Sequence, residues 1–279
     1  MDDSGGFGAP PPPPPPGAGG GGQIPQRGLG DILSVAFDVY KANAAKLIQI
    51  VAIVVVPLTF VLALLTQVAF KQNCDNIQTL SDVNRCVGSV GRSLFIGAIG
   101  WFIAIAIQQL LLGAITRGAA GALIGREVDV KASYEYAFSR LWGLIGLAIL
   151  IALVVGVGFI LLIVPGIIFL VFLAVAVPAF IIERLGVTES MSRSWKLVSG
   201  SWWHVLGVIV VAGIIAGVIN GVLTAIGGHT FLGSWIMSAI AQLITAPFVA
   251  LVGIVLYVDL RTRHEGLDAN ALASDLDRQ

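Results

Sequence analysis

The sequence predicts an all-α membrane protein of about six transmembrane helices, arranged as three repeats of an interfacial amphipathic helix plus a transmembrane hairpin. Three observations carry this reading: scarce charge, long charge-free runs, and a short aromatic-centred amphipathic stretch before every second run. Of 279 residues, 57% are hydrophobic and 11% charged, under half the roughly 25% charge of a soluble domain. Leu47 to Val68 and Leu141 to Val164 hold no charge. About 18 or more such residues suffice to cross a hydrocarbon core of about 30 Å as a helix.

Residues 1–27 read as a disordered cytoplasmic tail. Seven consecutive prolines, Pro10 to Pro16, are flanked by glycines, and such a segment buries too little apolar surface to offset the entropy of ordering. Its prolines favour an extended polyproline II rod, a possible docking point for a protein partner. The opening Met1-Asp2-Asp3 is acidic where a signal peptide needs a basic stretch.

Six apolar spans follow, near 45–69, 93–116, 143–163, 166–183, 204–226 and 235–258, within a membrane domain over 28–264. A polar cytoplasmic tail over 265–279 ends the chain. Val164-Pro165-Gly166 joins the third and fourth spans, either as a hairpin turn or as the break in one long helix. Gly227-Gly228-His229-Thr230 joins the fifth and sixth. Pro57, Pro178 and Pro247 fall inside spans, where neighbouring helices can satisfy the freed backbone groups.

Lys and Arg divide unevenly between the two sides. One side holds Arg27, Lys41, Lys46, Arg117, Arg126, Lys131, Arg140, Arg184, Arg193, Lys196, Arg261, Arg263 and Arg278; the other holds Lys71, Arg85 and Arg92. Thirteen against three puts the first side, with both termini, in the cytoplasm. The expected location is a plasma membrane, with the lipid bilayer as the principal partner and no nucleic acid, because net charge is zero.

The repeat appears when the segments before spans one, three and five are compared. Ile32, Leu33, Ala36, Phe37 and Tyr40 form one helical face; Tyr134, Ala137, Phe138, Leu141 and Trp142 form the second; Met191, Ser194, Trp195 and Val198 form the third. Aligning Phe37, Phe138 and Trp195 also aligns the starts of the following spans. These stretches read as helices in the headgroup region, with aromatics at the boundary and cations towards lipid phosphates.

The spans lack ionisable residues near their midpoints, which argues against an ion-coupled pump. They do contain amides and hydroxyls. Gln108, Gln109, Asn220 and Gln242 could line an intramembrane polar pocket, or could serve only as hydrogen-bonding contacts between helices. Gly213, Gly217 and Gly221 form a ridge that admits close backbone approach, with another span of this chain as the expected partner and a second copy as the alternative. Cys74 and Cys86 lie in an external loop near 70–92 where a disulfide is permitted. His204, His229 and His264 are dispersed, so no metal site is expected. No cofactor or catalytic motif is found, and the chain reads as a non-enzyme.

Several short segments resemble a bacterial family of six-span membrane domains found attached to some glycerophosphoryl diester phosphodiesterases. They are Asp31-Ile32-Leu33 through Tyr40-Lys41, Ile163-Val164-Pro165-Gly166-Ile167, Glu189 to Val198, and Leu256-Tyr257-Val258-Asp259-Leu260-Arg261-Thr262-Arg263-His264-Glu265-Gly266-Leu267-Asp268. The resemblance covers about residues 28 to 277. It implies a membrane module without the catalytic barrel, because no polar stretch here is long enough to be that domain. The resemblance implies a bacterial plasma-membrane module of undefined role; the chain itself reads as a non-enzymatic module in envelope or lipid-related processes, with a small transporter or lipid-handling carrier as the alternative. A membrane-associated glycerophosphodiester phosphodiesterase component is the third reading.

Overall fold

In a computed structural model describing residues 26–69, 79–227, 230–267 and 269–277, the described residues form ten α-helices and short turns. The expected tail over 1–27 falls almost wholly outside that range, as do Cys74 and His229. The helices are α1 (Leu29–Ala69), α2 (Leu80–Leu123), α3 (Val130–Ser139), α4 (Leu141–Leu161), α5 (Ile163–Phe172), α6 (Ala176–Ile182), α7 (Val187–Val198), α8 (Trp202–Gly227), α9 (Phe231–Glu265) and α10 (Ala269–Asp277). Six stretches are long and apolar enough to cross a membrane: Leu29–Val61, Phe102–Leu123, Leu141–Leu161, Ile163–Ile182, Trp202–Gly227 and Trp235–Glu265. The protein is an all-α membrane protein.

The three amphipathic stretches take different forms. The first is no separate helix, since α1 runs unbroken for 41 residues. Lys41-Ala42-Asn43-Ala44-Ala45-Lys46 holds no Gly or Pro to stop it, and its alanines favour helix. Buried Ile32, Ala36, Leu47, Ile50, Val51 and Val55 make one stripe along it. Phe37 and Tyr40 face a groove of about 400 Å³ shared with Ile215, Ile219, Ile244 and Phe248.

The second and third stretches are the separate helices α3 and α7. Asp129 caps α3 by accepting from Ala132 N–H at 3.1 Å, and Arg140 alone separates α3 from α4. Tyr134 donates to the Ile50 carbonyl, tying α3 to α1, while Phe138 stays 70% exposed. Glu189 accepts from the Gly186 N–H at 2.9 Å and starts α7. Gly200, at φ 88°, separates α7 from α8; such a left-handed backbone suits glycine.

Residues 141–182 form a hairpin, not one long broken helix. Leu162 is the single extended residue between α4 and α5. A Cβ added at Gly158 would lie 2.9 Å from the Gly166 Cα, and one at Gly143 would lie 2.5 Å from Phe180 Cζ. Contacts 8 and 37 residues apart arise only if the chain doubles back. Small residues at these crossings let the backbones approach.

Two expected loops are more ordered than composition suggests. Residues 80–92 extend α2 as helix, so Cys86 belongs to a helix and not to the loop expected near 70–92. The C-terminal tail folds as α10, with Leu272 and Leu276 buried and Arg261 Nη1 2.8 Å from Asp275 Oδ2. Gly266, at φ 64°, ends α9 and permits this turn.

Candidate functional site

A cavity of about 560 Å³ lies between α2, the α5–α6 junction, α8 and α9. Its walls include Leu112, Ile115, Val177, Ile209, Val249 and Leu256, with Ala212 and Gly213 opening space on the α8 side. Gln108 and Thr116 enter from α2, and Gln242 and Thr245 from α9. Helical spacing explains the pairing: 242 and 245 are three apart, hence on one face of α9.

These polar groups are not equally satisfied. Thr245 Oγ1 donates to the Ala241 carbonyl at 2.8 Å and accepts from Asn220 Nδ2 at 3.4 Å. Asn220 also donates to the Ala216 carbonyl at 2.8 Å. The side-chain amides of Gln108 and Gln242 make no hydrogen bond among the described residues. In an apolar surround an unpaired amide is costly. The cavity therefore presents two open donor–acceptor groups, Gln108 exposed at its mouth and Gln242 half-buried, in an otherwise greasy wall.

Of the residues expected to line a polar pocket, Gln108 and Gln242 meet in this cavity and Asn220 reaches its wall through Thr245. Gln109 lies outside the lining. The glycine ridge fails to find an internal partner: a Cβ at Gly213, Gly217 or Gly221 would meet nothing within 4 Å. Neighbouring Ile214, Val218 and Val222 are exposed, because α8 packs through Val205, Val208 and Ala212 instead. Gly213 contributes to the cavity by its missing side chain.

Beside the cavity, at the end of α9 that follows Leu256, an ionic network joins four helices. Tyr257 donates to Glu183, and Arg193 Nε lies 2.9 Å from Glu183 Oε1. Arg193 Nη2 lies 2.8 Å from Glu265 Oε2. Arg261 meets Glu265 at 3.2 Å and Asp275 at 2.8 Å. The hydrogen bonds from Arg193 to Glu265 and Glu183 hold its guanidinium firmly charged, above its ordinary range despite burial. A second cluster centres on buried Asp259, which accepts from Arg27 N–H and Arg263 Nε, each at 2.7 Å. His204 Nε2 stands 3.4 Å away. Burial lowers the Arg27 pKa, with Asp259 opposing the shift.

Sequence reading missed this network. Its one legible trace was the i, i+4, i+8 spacing of Tyr257, Arg261 and Glu265; the partners on α6, α7 and α10 have no local signal. Thr116 was missed as a lining residue because a lone threonine beside Arg117 looks like a helix end.

Phe37, Phe138 and Trp195 are 50%, 70% and 41% exposed. Trp195 stacks on Phe172 with centroids 4.0 Å apart. No family model, curated protein or solved structure matches this chain. Fold and cavity define the class: an integral membrane helical bundle with a partly polar cavity between its helices.

Proposed function

We propose that this protein is a non-enzymatic membrane module that holds an amphiphile, a molecule with a polar head and an apolar chain, in the cavity between α2, α6, α8 and α9. The two unpaired amides of Gln108 and Gln242, set in an apolar wall, carry this reading. Such a lining suits a lipid-like molecule whose polar group satisfies the amides while its chain follows Ile115, Ile209 and Val249. The residues that resemble the membrane domain of some glycerophosphoryl diester phosphodiesterases point the same way, towards lipid-related work without hydrolysis. The setting is a bacterial plasma membrane, with both termini in the cytoplasm by the distribution of Lys and Arg.

The test is lipid mass spectrometry on protein purified in mild detergent. Gly213→Leu fills open space and leaves the amides alone, while Gln242→Leu removes one polar contact. Loss of one hydrogen bond of about 1 kcal/mol lowers occupancy roughly fivefold. The expected result is a co-purifying amphiphile depleted in both variants. The reading fails if the wild type retains none, or if both variants retain it unchanged. It fails equally if the purified protein hydrolyses a glycerophosphodiester.

A further inference from the structure

The turn of the α4–α5 hairpin is an unusual thing to place in water. From Phe159 to Ile167 the sequence is Phe-Ile-Leu-Leu-Ile-Val-Pro-Gly-Ile, with no polar side chain. Five consecutive residues there, Ile160 to Val164, are 65–84% exposed. A span that emerged on the far side of a membrane would put this tip at or beyond the far headgroups.

The backbone at the tip is arranged for an apolar medium. Leu162 N–H donates to the Gly158 carbonyl at 3.0 Å, and Gly166 N–H to the Leu162 carbonyl at 3.4 Å. Pro165 has no N–H to satisfy. These two bonds and the missing donor of Pro165 reduce the open backbone groups at the turn, each of which is costly in hydrocarbon. Where α5 stops, Ser194 Oγ of α7 donates to the Phe172 carbonyl at 2.7 Å, covering a freed acceptor.

A second, independent observation fixes where the polar boundary lies. Lys196, Ser192 and Trp195 of α7 share one notch with Val154 of α4 and with Leu173. Trp195 stacks on Phe172. The exposed cation and the indole therefore stand beside the midsection of the hairpin. A Lys ammonium stays at or snorkels to the headgroup region, and Trp favours the same level. From Val154 to Leu162 is eight residues, about 12 Å of helix; on the other arm Phe172 to Leu162 is ten residues, about 15 Å over the same depth. A hydrocarbon core is about 30 Å thick.

We infer that the α4–α5 hairpin turns round inside the bilayer, its tip lying among the acyl chains near the midplane without reaching the far surface. It enters obliquely from the leaflet next to α7. Trp142, Ile149 and Leu153, exposed along the first half of α4, run through the headgroup boundary of that leaflet. The occupant of the tip surface is lipid hydrocarbon, and the hairpin adds volume to one leaflet only. The Lys and Arg distribution is unaffected, since the turn holds no charge in either arrangement.

The experiment uses the full chain with Cys74→Ser and Cys86→Ser, reconstituted in vesicles, with one new cysteine at a time. Leu162→Cys probes the tip, Val164→Cys repeats it should the first misfold, and exposed Gly88→Cys in the extension of α2 is the control. A membrane-impermeant maleimide is expected to label Gly88→Cys from one face and the tip from neither. A spin label at the tip should then collide readily with oxygen, rarely with a nickel chelate, at a depth about 12 to 15 Å below the headgroups. Labelling of the tip from the same face as Gly88→Cys overturns the inference, as does a depth at the far headgroups. A tip shielded from both oxygen and nickel overturns it too, since protein and not lipid would cover the surface.

Discussion

The ionic network around Glu183 and the α4–α5 hairpin lie in adjacent stretches of chain and are stabilised by opposite means. In the network every charged side chain answers another: Arg193 and Arg261 sit among Glu183, Glu265 and Asp275, with Tyr257 donating into the centre. The hairpin has no polar side chain between Gly143 and Ile182; it is held by close approach at Gly143 to the Phe180 ring, at Gly166 to the Phe159 ring, and at Gly158 to the Gly166 backbone. The difference shows what surrounds each. Charges can be gathered where water is near enough to limit the cost of desolvation. In hydrocarbon, apolar side chains gain little by leaving lipid for protein, so close fit replaces hydrophobic drive.

Breaking the network should have the largest effect. Arg261→Met keeps the volume and removes the cation between three carboxylates. Loss of one partner from a buried ionic group costs about 3 kcal/mol or more, because the remaining charges are left uncompensated. Thermal unfolding in detergent should show a clearly lowered midpoint, together with release of α10 to protease. A variant as stable as the wild type would mean that water screens the network far more than its burial suggests.

The hairpin comes next, and it is best probed against another glycine helix. A methyl at Gly158 meets Gly166 Cα at 2.9 Å and Phe169 Cδ2 at 2.8 Å, so Gly158→Ala should cost about 1 to 3 kcal/mol through overpacking. Gly217→Ala on α8 meets nothing within 4 Å and should gain about 0.5 to 1 kcal/mol from helix propensity. Opposite signs in the two unfolding midpoints are the expected result. Equal losses at both would point to a second copy packed on the α8 ridge.

That contrast also marks what sequence could and could not tell. Gly213, Gly217 and Gly221 made the better motif, with regular four-residue spacing, yet α8 leaves Gly213 on the cavity wall and turns Gly217 and Gly221 outward. Gly143, Gly158 and Gly166 have no regular spacing, and they are the ones the fold uses. Regularity describes one helix, whereas contact depends on which faces of two helices meet. The spans were legible because a charge-free run of about 20 residues has few fates. The continuity of α1 was legible in principle from Ala42, Ala44 and Ala45, but the analogy with α3 and α7 suggested a break there. Gln108 and Gln242 stood out as amides in apolar runs; only the packing of α2 against α9 brings them into one cavity.

The smallest effect is expected at the link between α3 and α1, and there pH reads it. Tyr134 donates to the Ile50 carbonyl, and burial pushes its pKa up to about 12 from an unfolded value of about 10. The fold thus favours the neutral phenol. Its contribution is complete below pH 10 and is lost as pH rises from 10 through 12. Tyr134→Phe should lower stability by about 1 kcal/mol at neutral pH through the lost hydrogen bond. It should also flatten the part of the decline between pH 10 and 12 that the wild type owes to this residue. Difference absorbance of the phenolate, wild type minus variant, follows the same group directly. A difference curve centred near pH 10 would show that solvent reaches the hydroxyl, and that α3 is held to α1 by apolar packing alone.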